Sequence, residues 1–142
     1  MLFNHRDLKD IKHQLEYIDT AIIPVIDVDY RQQLMNIVDS YEIIQMMTLT
    51  VENQFKGRVL LAPAVQVQED YTLPLVIGEQ LKSYGMKNIL FITSAASRFE
   101  TQEHHVKVNT FPLEAMDIDM REELIEPQVK ELMRTIISMW NK

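Results

Sequence analysis

A few short stretches of this chain carry side chains able to do chemistry. Asp27 and Asp29 stand two apart after an apolar run, where paired carboxylates can serve as acid and base. Thr93-Ser94-Ala95-Ala96-Ser97-Arg98 follows another apolar run. Its hydroxyls, free backbone N–H groups and guanidinium could receive an anion. Glu103-His104-His105 is the densest group of metal-ligand types, and His5 and His13 lie eight apart. Each has a plainer reading. Asp27 and Asp29 can face the positive end of the helix that follows, and Ser94 can cap a helix. Adjacent histidines point in different directions, whereas a catalytic zinc site takes three protein ligands. The histidines are therefore expected at the surface, with no metal site. The chain has no cysteine and no Gly-x-Ser-x-Gly elbow, the usual setting of a hydrolase serine.

These residues sit where an α/β fold places its ligand-side loops. Continuous apolarity in Tyr17 to Ile26, in Val59 to Ala62 and in Asn88 to Ile92 predicts strands covered on both faces. Pro24 cannot donate to a ladder, so the first strand must end or bulge there. Val106 to Phe111 alternates and predicts a fourth, edge strand. Asn4 can cap a helix from His5 to about Gln14. Helical signal runs from the loop after Asp29 to Lys56, and the capping-box spacing of Asp39 and Glu42 predicts two helices or a bend near Asp39-Ser40. Leu34, Ile37, Val38, Tyr41, Ile44, Met47, Val51 and Phe55 supply its core stripe. Another helix, with Pro74 in its first turn, closes at Gly85. Pro127 predicts the start of the last helix, after an acidic connection over residues 114–126, and Val129, Leu132, Met133, Ile136, Ile137 and Trp140 form its core stripe. The expected fold is a single α/β domain over residues 1–142. It is a three-layer sandwich with a small, mostly parallel four-stranded sheet flanked by helices, Rossmann-like in order. Ligands in such sheets bind beyond the carboxyl ends of the strands, which here gathers Asp27, Asp29, Ser94, Ser97 and Arg98. The only glycines, Gly57, Gly78 and Gly85, lie outside those loops. No backbone can wrap a pyrophosphate there, so dinucleotide and P-loop readings fail and no cofactor is expected.

Composition narrows the partners. The 142 residues are 46% hydrophobic, ordinary for a globular chain. The net charge of -7, from 14 basic and 21 acidic residues, opposes nucleic-acid binding and attachment to an anionic membrane. No apolar run approaches a membrane span or a signal peptide, so a soluble cytoplasmic protein is expected. Met46, Met47, Met133 and Met139 fall in or beside helix stripes, which suits core filling. Trp140 and Met139 near the end of the last helix could also form a self-association surface.

Tyr17-Ile18-Asp19-Thr20-Ala21-Ile22-Ile23-Pro24 and Gln54-Phe55-Lys56-Gly57-Arg58-Val59-Leu60-Leu61-Ala62-Pro63 resemble the YpiF-like family of short uncharacterised bacterial proteins from Bacillus and Staphylococcus relatives. The likeness extends over nearly the whole chain and carries no catalytic residues with it. A fainter resemblance is to the creatinine amidohydrolase fold, through Ile23-Pro24-Val25, Leu60-Leu61-Ala62-Pro63 and Tyr84-Gly85 leading into Asn88 to Ile92. That family's Glu-x-His-Gly-type loop is replaced by Ile26-Asp27-Val28-Asp29-Tyr30. Its Asn-Gly-His-Gly-Gly-Asn-type loop is replaced by Thr93 to Arg98. The likeness implies a reduced relative without metal chemistry.

The expectation is a non-catalytic domain that acts by binding a protein partner or a second copy of itself. The alternative is a small hydrolase or anion-binding protein using Asp27, Asp29, Ser94 and Arg98 at the ends of the first and third apolar strands.

Overall fold

A computed structural model describes residues 1–31 and 33–142. Its elements are α1 (His5–Leu8), α2 (Ile11–Gln14), β1 (Thr20–Asp27), α3 (Leu34–Gln54), β2 (Val59–Leu61), β3 (Val65–Val67), α4 (Thr72–Tyr84), β4 (Asn88–Ser94), β5 (His104–Val108) and α5 (Ile118–Trp140). All strand pairs in the sheet are parallel, in the order β2-β1-β4-β5, with β3 also beside β1. One core packs Ile22, Ile26, Leu90 and Ile92 against Ile43, Ile44 and Met47 of α3 and Leu132 and Ile136 of α5. The other packs Ala21, Ile23, Val25, Ile89 and Phe91 under α4 and the short N-terminal helices. Period-two alternation along β1 and β4 thus sends successive side chains to opposite cores, which gives the expected three layers.

β2 and β3 are two halves of one edge strand. Thr20 pairs with Val59, but Val25 pairs with Val65, so the edge holds one residue more than β1 between these stretches. The extra residue lies at Ala62-Pro63-Ala64, opposite Pro24. Thr20 donates to the Arg58 carbonyl and Ile22 accepts from Ala62, so even-numbered residues of β1 turn their backbone groups toward this edge. Pro24 has no N–H to offer it. β1 therefore passes through Pro24, and the neighbouring strand bulges instead. A one-residue slip exchanges faces: Val59 and Leu61 join the α3/α5 core, while Val65 and Val67 join the α4 core.

Several boundaries differ from the sequence expectation. The first helix is two short ones, broken at Lys9-Asp10. α3 is continuous through Asp39, whose carboxylate accepts from the Leu113 N–H at 3.3 Å and caps nothing within α3. α5 begins nine residues before Pro127. The Asp117 carboxylate caps it by accepting from the Met120 N–H at 2.9 Å, and Arg121 donates to the Leu113 and Met116 carbonyls. The edge strand runs over His104–Val108, two residues earlier than the alternation suggests at its start. Gln128 of α5 closes its end, accepting from the Asn109 N–H and donating to the Asn109 carbonyl.

The edge at β2 is covered too. The Met1 ammonium reaches the Val59 carbonyl, the Leu61 N–H donates to the Met1 carbonyl at 2.8 Å, and the ammonium pairs with buried Glu52 at 2.9 Å. No helix among the described residues is long and apolar enough to cross a membrane.

Candidate functional site

β1 is followed by α3 on one face of the sheet, and the loop after β4 packs Phe99 into the core on the other. The loops beyond β1 and β4 therefore part, leaving a crevice at the strand ends, the position where such sheets take ligands. A cleft of about 350 Å³ lies there, with Asp27, Asp29, Asn36, Glu69, Tyr71 and Arg98 among its lining residues.

Asp27 ends β1 and accepts two short hydrogen bonds, from the Tyr71 hydroxyl at 2.6 Å and the Ser97 hydroxyl at 2.6 Å. Ser97 is buried, and its Oγ accepts the Phe99 N–H at 3.2 Å. One carboxylate thereby joins three segments: the end of β1, the start of α4 and the loop after β4. Burial first, and the hydrogen bond to Asp27 second, push the Tyr71 hydroxyl above its ordinary pKa. Asp29 is held by Arg31 through a two-point ion pair at 2.9 and 3.0 Å plus a backbone N–H. The Arg31 hydrogen bonds keep its carboxyl below the usual range. Ser94 lies apart. It ends β4 beside Val108, and its carbonyl accepts from the Ser97 N–H and the Thr93 hydroxyl. No helix follows it to cap, because residues 95–103 form an irregular loop. Arg98 is exposed at the cleft and has no ion pair among the described residues. Asp27, Asp29 and Arg98 therefore share the cleft, Ser97 touches it through Asp27, and Ser94 is outside.

His105 is not the expected surface residue. It is half-buried, edge-on to Phe99 with ring centroids 5.3 Å apart. Its Nε2 lies 2.9 Å from Thr93 Oγ1. The Thr93 hydroxyl donates to the Ser94 carbonyl, so the Nε2–H of neutral His105 is the donor to Thr93. Burial, with the Lys107 charge second, lowers the imidazole pKa from its ordinary 6.5. The unfolded chain then binds more protons below pH 6.5, so this contribution to stability is present above that value and lost as pH falls below it. His105→Gln, which retains a donor, is expected to flatten the stability profile as pH falls below about 6.5. Urea midpoints of both proteins across that window measure it; parallel profiles would show that His105 titrates as in the unfolded chain. Among the described residues no group of three His, Asp or Glu is placed to hold a metal ion.

Trp140 is also spoken for. Its Nε1–H donates to buried Thr20 at 2.8 Å, Arg58 lies 3.8 Å above its ring, and Phe55 meets it edge-on at 4.9 Å. Met139 is buried. The end of α5 is a clamp onto β1 rather than the free apolar surface that its sequence suggests.

A free apolar surface exists elsewhere. Leu34, Val38 and Tyr41, read from the sequence as core, are exposed, as are Leu49, Tyr30 and Phe3. The core side of α3 uses Ile43, Ile44, Met47 and Val51 instead. Between the outer side of α3 and the bulged edge run two adjoining grooves of about 790 and 260 Å³, which share Ile26, Tyr41, Gln45, Pro63 and Ala64. Tyr30 and Leu34 stand at one end, and Phe3 and Leu49 at the other. The missed signal was that α3 is apolar on two sides, when one stripe suffices to cover a sheet.

Comparison with known proteins agrees with the first of the two sequence resemblances. The profile of a family described as "Protein of unknown function (DUF2487)" matches residues 9–140. The chain is 23% identical over 140 residues to "Uncharacterized protein YpiF" of Bacillus subtilis (strain 168), covering 95% of each. No solved structure matches significantly, and the resemblance to creatinine amidohydrolases gains no support.

Proposed function

From the premise that the chain belongs to the DUF2487 family, we propose that it is a protein-binding domain whose contact surface is the groove beside α3. The observation that carries this reading is the line of exposed apolar side chains Leu34, Val38, Tyr41 and Leu49, flanked by Tyr30 and Phe3. Phe3 and Tyr30 each leave 60% of their surface in solvent and Tyr41 leaves 46%. Taking an aromatic side chain at roughly 150–250 Å², the whole face offers on the order of 600 Å² of apolar surface. That is at the upper end of the roughly 300–600 Å² found for the largest patch on a typical monomer. Aromatic residues are also the side chains most enriched at interfaces.

The strand-end cleft supports catalysis less well. The two carboxylates suited to acid–base work are engaged, Asp27 with Tyr71 and Ser97 and Asp29 with Arg31. Both would have to leave internal partners before serving a substrate.

A photoreactive benzoylphenylalanine at position 41 tests the reading in cells, with the same group at Leu73 as the control. Leu73 is equally apolar, 55% exposed, and lies on α4 across the sheet. A discrete covalent adduct is expected from position 41 and not from position 73. Equal capture at the two positions would refute the groove as a specific contact surface.

A further inference from the structure

We infer that the occupant of this groove is a second copy of the chain, with the two α3 helices antiparallel about a two-fold axis between Tyr41 and Glu42. This rests on the protein-binding reading above and names its partner.

The first argument is the spacing along α3. Leu34 lies seven residues before Tyr41, and Leu49 lies seven after Glu42. An antiparallel partner in that register sets Leu34 against the partner's Leu49, Val38 against the partner's Gln45, and Tyr41 against the partner's Glu42. A two-fold axis repeats each contact, which is the self-complementarity a dimer requires. The flanking aromatics obey the same symmetry. Tyr30 lines the groove at the Leu34 end and Phe3 at the Leu49 end, so each Tyr30 meets the partner's Phe3. From Leu34 to Leu49 the stripe is about 22 Å long at 1.5 Å per residue.

The area agrees. About 600 Å² of apolar side chain, with the polar Gln45, Glu42 and Gln66 side chains added, approaches the roughly 800 Å² per partner of a standard interface. Pairing through sheet edges is a poorer alternative. Met1 occupies the outward backbone groups of Val59 and Leu61, and Gln128 closes the end of β5. Each copy carries a net charge of -7, so the halves repel at long range. Added salt screens that repulsion and should tighten the dimer.

Sedimentation velocity at micromolar concentration is expected to give twice 16.7 kDa for the native chain, with dissociation favoured at low salt. Tyr41→Glu and Leu49→Glu should each sediment as monomers with unchanged far-UV circular dichroism. Ile137→Glu, at an exposed site on α5, should remain dimeric. The chain has no cysteine, so introduced thiols report the register. Leu34→Cys and Leu49→Cys proteins should form a mixed disulfide dimer when combined, and neither should do so alone. A monomeric native chain, a dimer that survives both glutamate substitutions, or disulfides between like positions would overturn the inference. If the native chain is monomeric while position 41 still captures a different protein in cells, self-pairing fails and the groove reading stands. If the native chain is monomeric and position 41 captures nothing, both fail.

Discussion

Phe99→Ala is expected to destabilise the protein by about 3–5 kcal/mol, which lowers the thermal midpoint of a chain of this size by roughly 10–17 °C. Phe99 lies in the irregular loop after β4, where no ladder or helix holds the backbone, yet it is fully buried. Its ring centroid is 5.0 Å from Phe91, 5.3 Å from His105 and 6.0 Å from Tyr71. Such aromatic contacts add to the area term. Truncation leaves a cavity between β4, β5 and the start of α4 that little can collapse to fill. It also removes the ring that anchors the residue whose backbone N–H holds the Ser97 hydroxyl, loosening the segment that brings Ser97 and Arg98 to the cleft. Phe99→Leu conserves most of the volume and should cost under about 1.5 kcal/mol. Chemical denaturation of both variants measures the difference. A cost near 1 kcal/mol for alanine would mean that backbone contacts, not the ring, hold the loop.

Phe99 also shows where the sequence was readable and where it was not. Layer order, parallel strands and the edge position of the last strand follow from apolar runs and glycine and proline placement, because burial on both faces of a sheet leaves a continuous pattern. Pro24 announced an irregularity as well, although only the structure shows that the partner strand absorbs it. What a one-dimensional pattern cannot carry is which of several apolar side chains wins the core. α3 holds enough of them for two stripes, so Leu34, Val38 and Tyr41 read as core while they stand in solvent. Phe99 sits in a polar stretch, where a lone aromatic has no period to mark it as core. Pro127 misled in the opposite way. The Asp117 cap starts the helix earlier, and apolar packing of Ile125, Val129, Leu132 and Ile136 on both sides of the proline carries the helix through it. At the candidate site, Asp27, Asp29 and Arg98 were legible because strand ends define the rim. The partners that occupy the two carboxylates were not, since Tyr71 and Ser97 reach Asp27 from 44 and 70 residues away.

Asp27→Ala should cost about 2–3 kcal/mol, because it strips the acceptor from two hydroxyls at once and hydrogen bonds to a charged group are the stronger kind. Asp27→Asn should cost less, since one carbonyl oxygen remains to accept. The same bonds predict an alkaline limb. With the Tyr71 hydroxyl pKa raised above 10.0 by burial and then by Asp27, the contribution of neutral Tyr71 is complete below about pH 10. It is lost as pH rises through the higher folded value. Tyr71→Phe should remove that part of the limb. Urea midpoints of the native chain and these variants, at neutral pH and as pH is raised past 10, measure both effects. The sign of the Asp27→Ala result separates the two readings of this residue. A carboxylate kept for a ligand sits at a cost to the empty protein, and replacing it commonly stabilises the fold. A carboxylate that joins β1, α4 and the β4 loop does the opposite. A measured loss assigns Asp27 to the architecture and leaves the groove beside α3 as the working surface. A gain would return the strand-end cleft, with Arg98 at its rim, to first place.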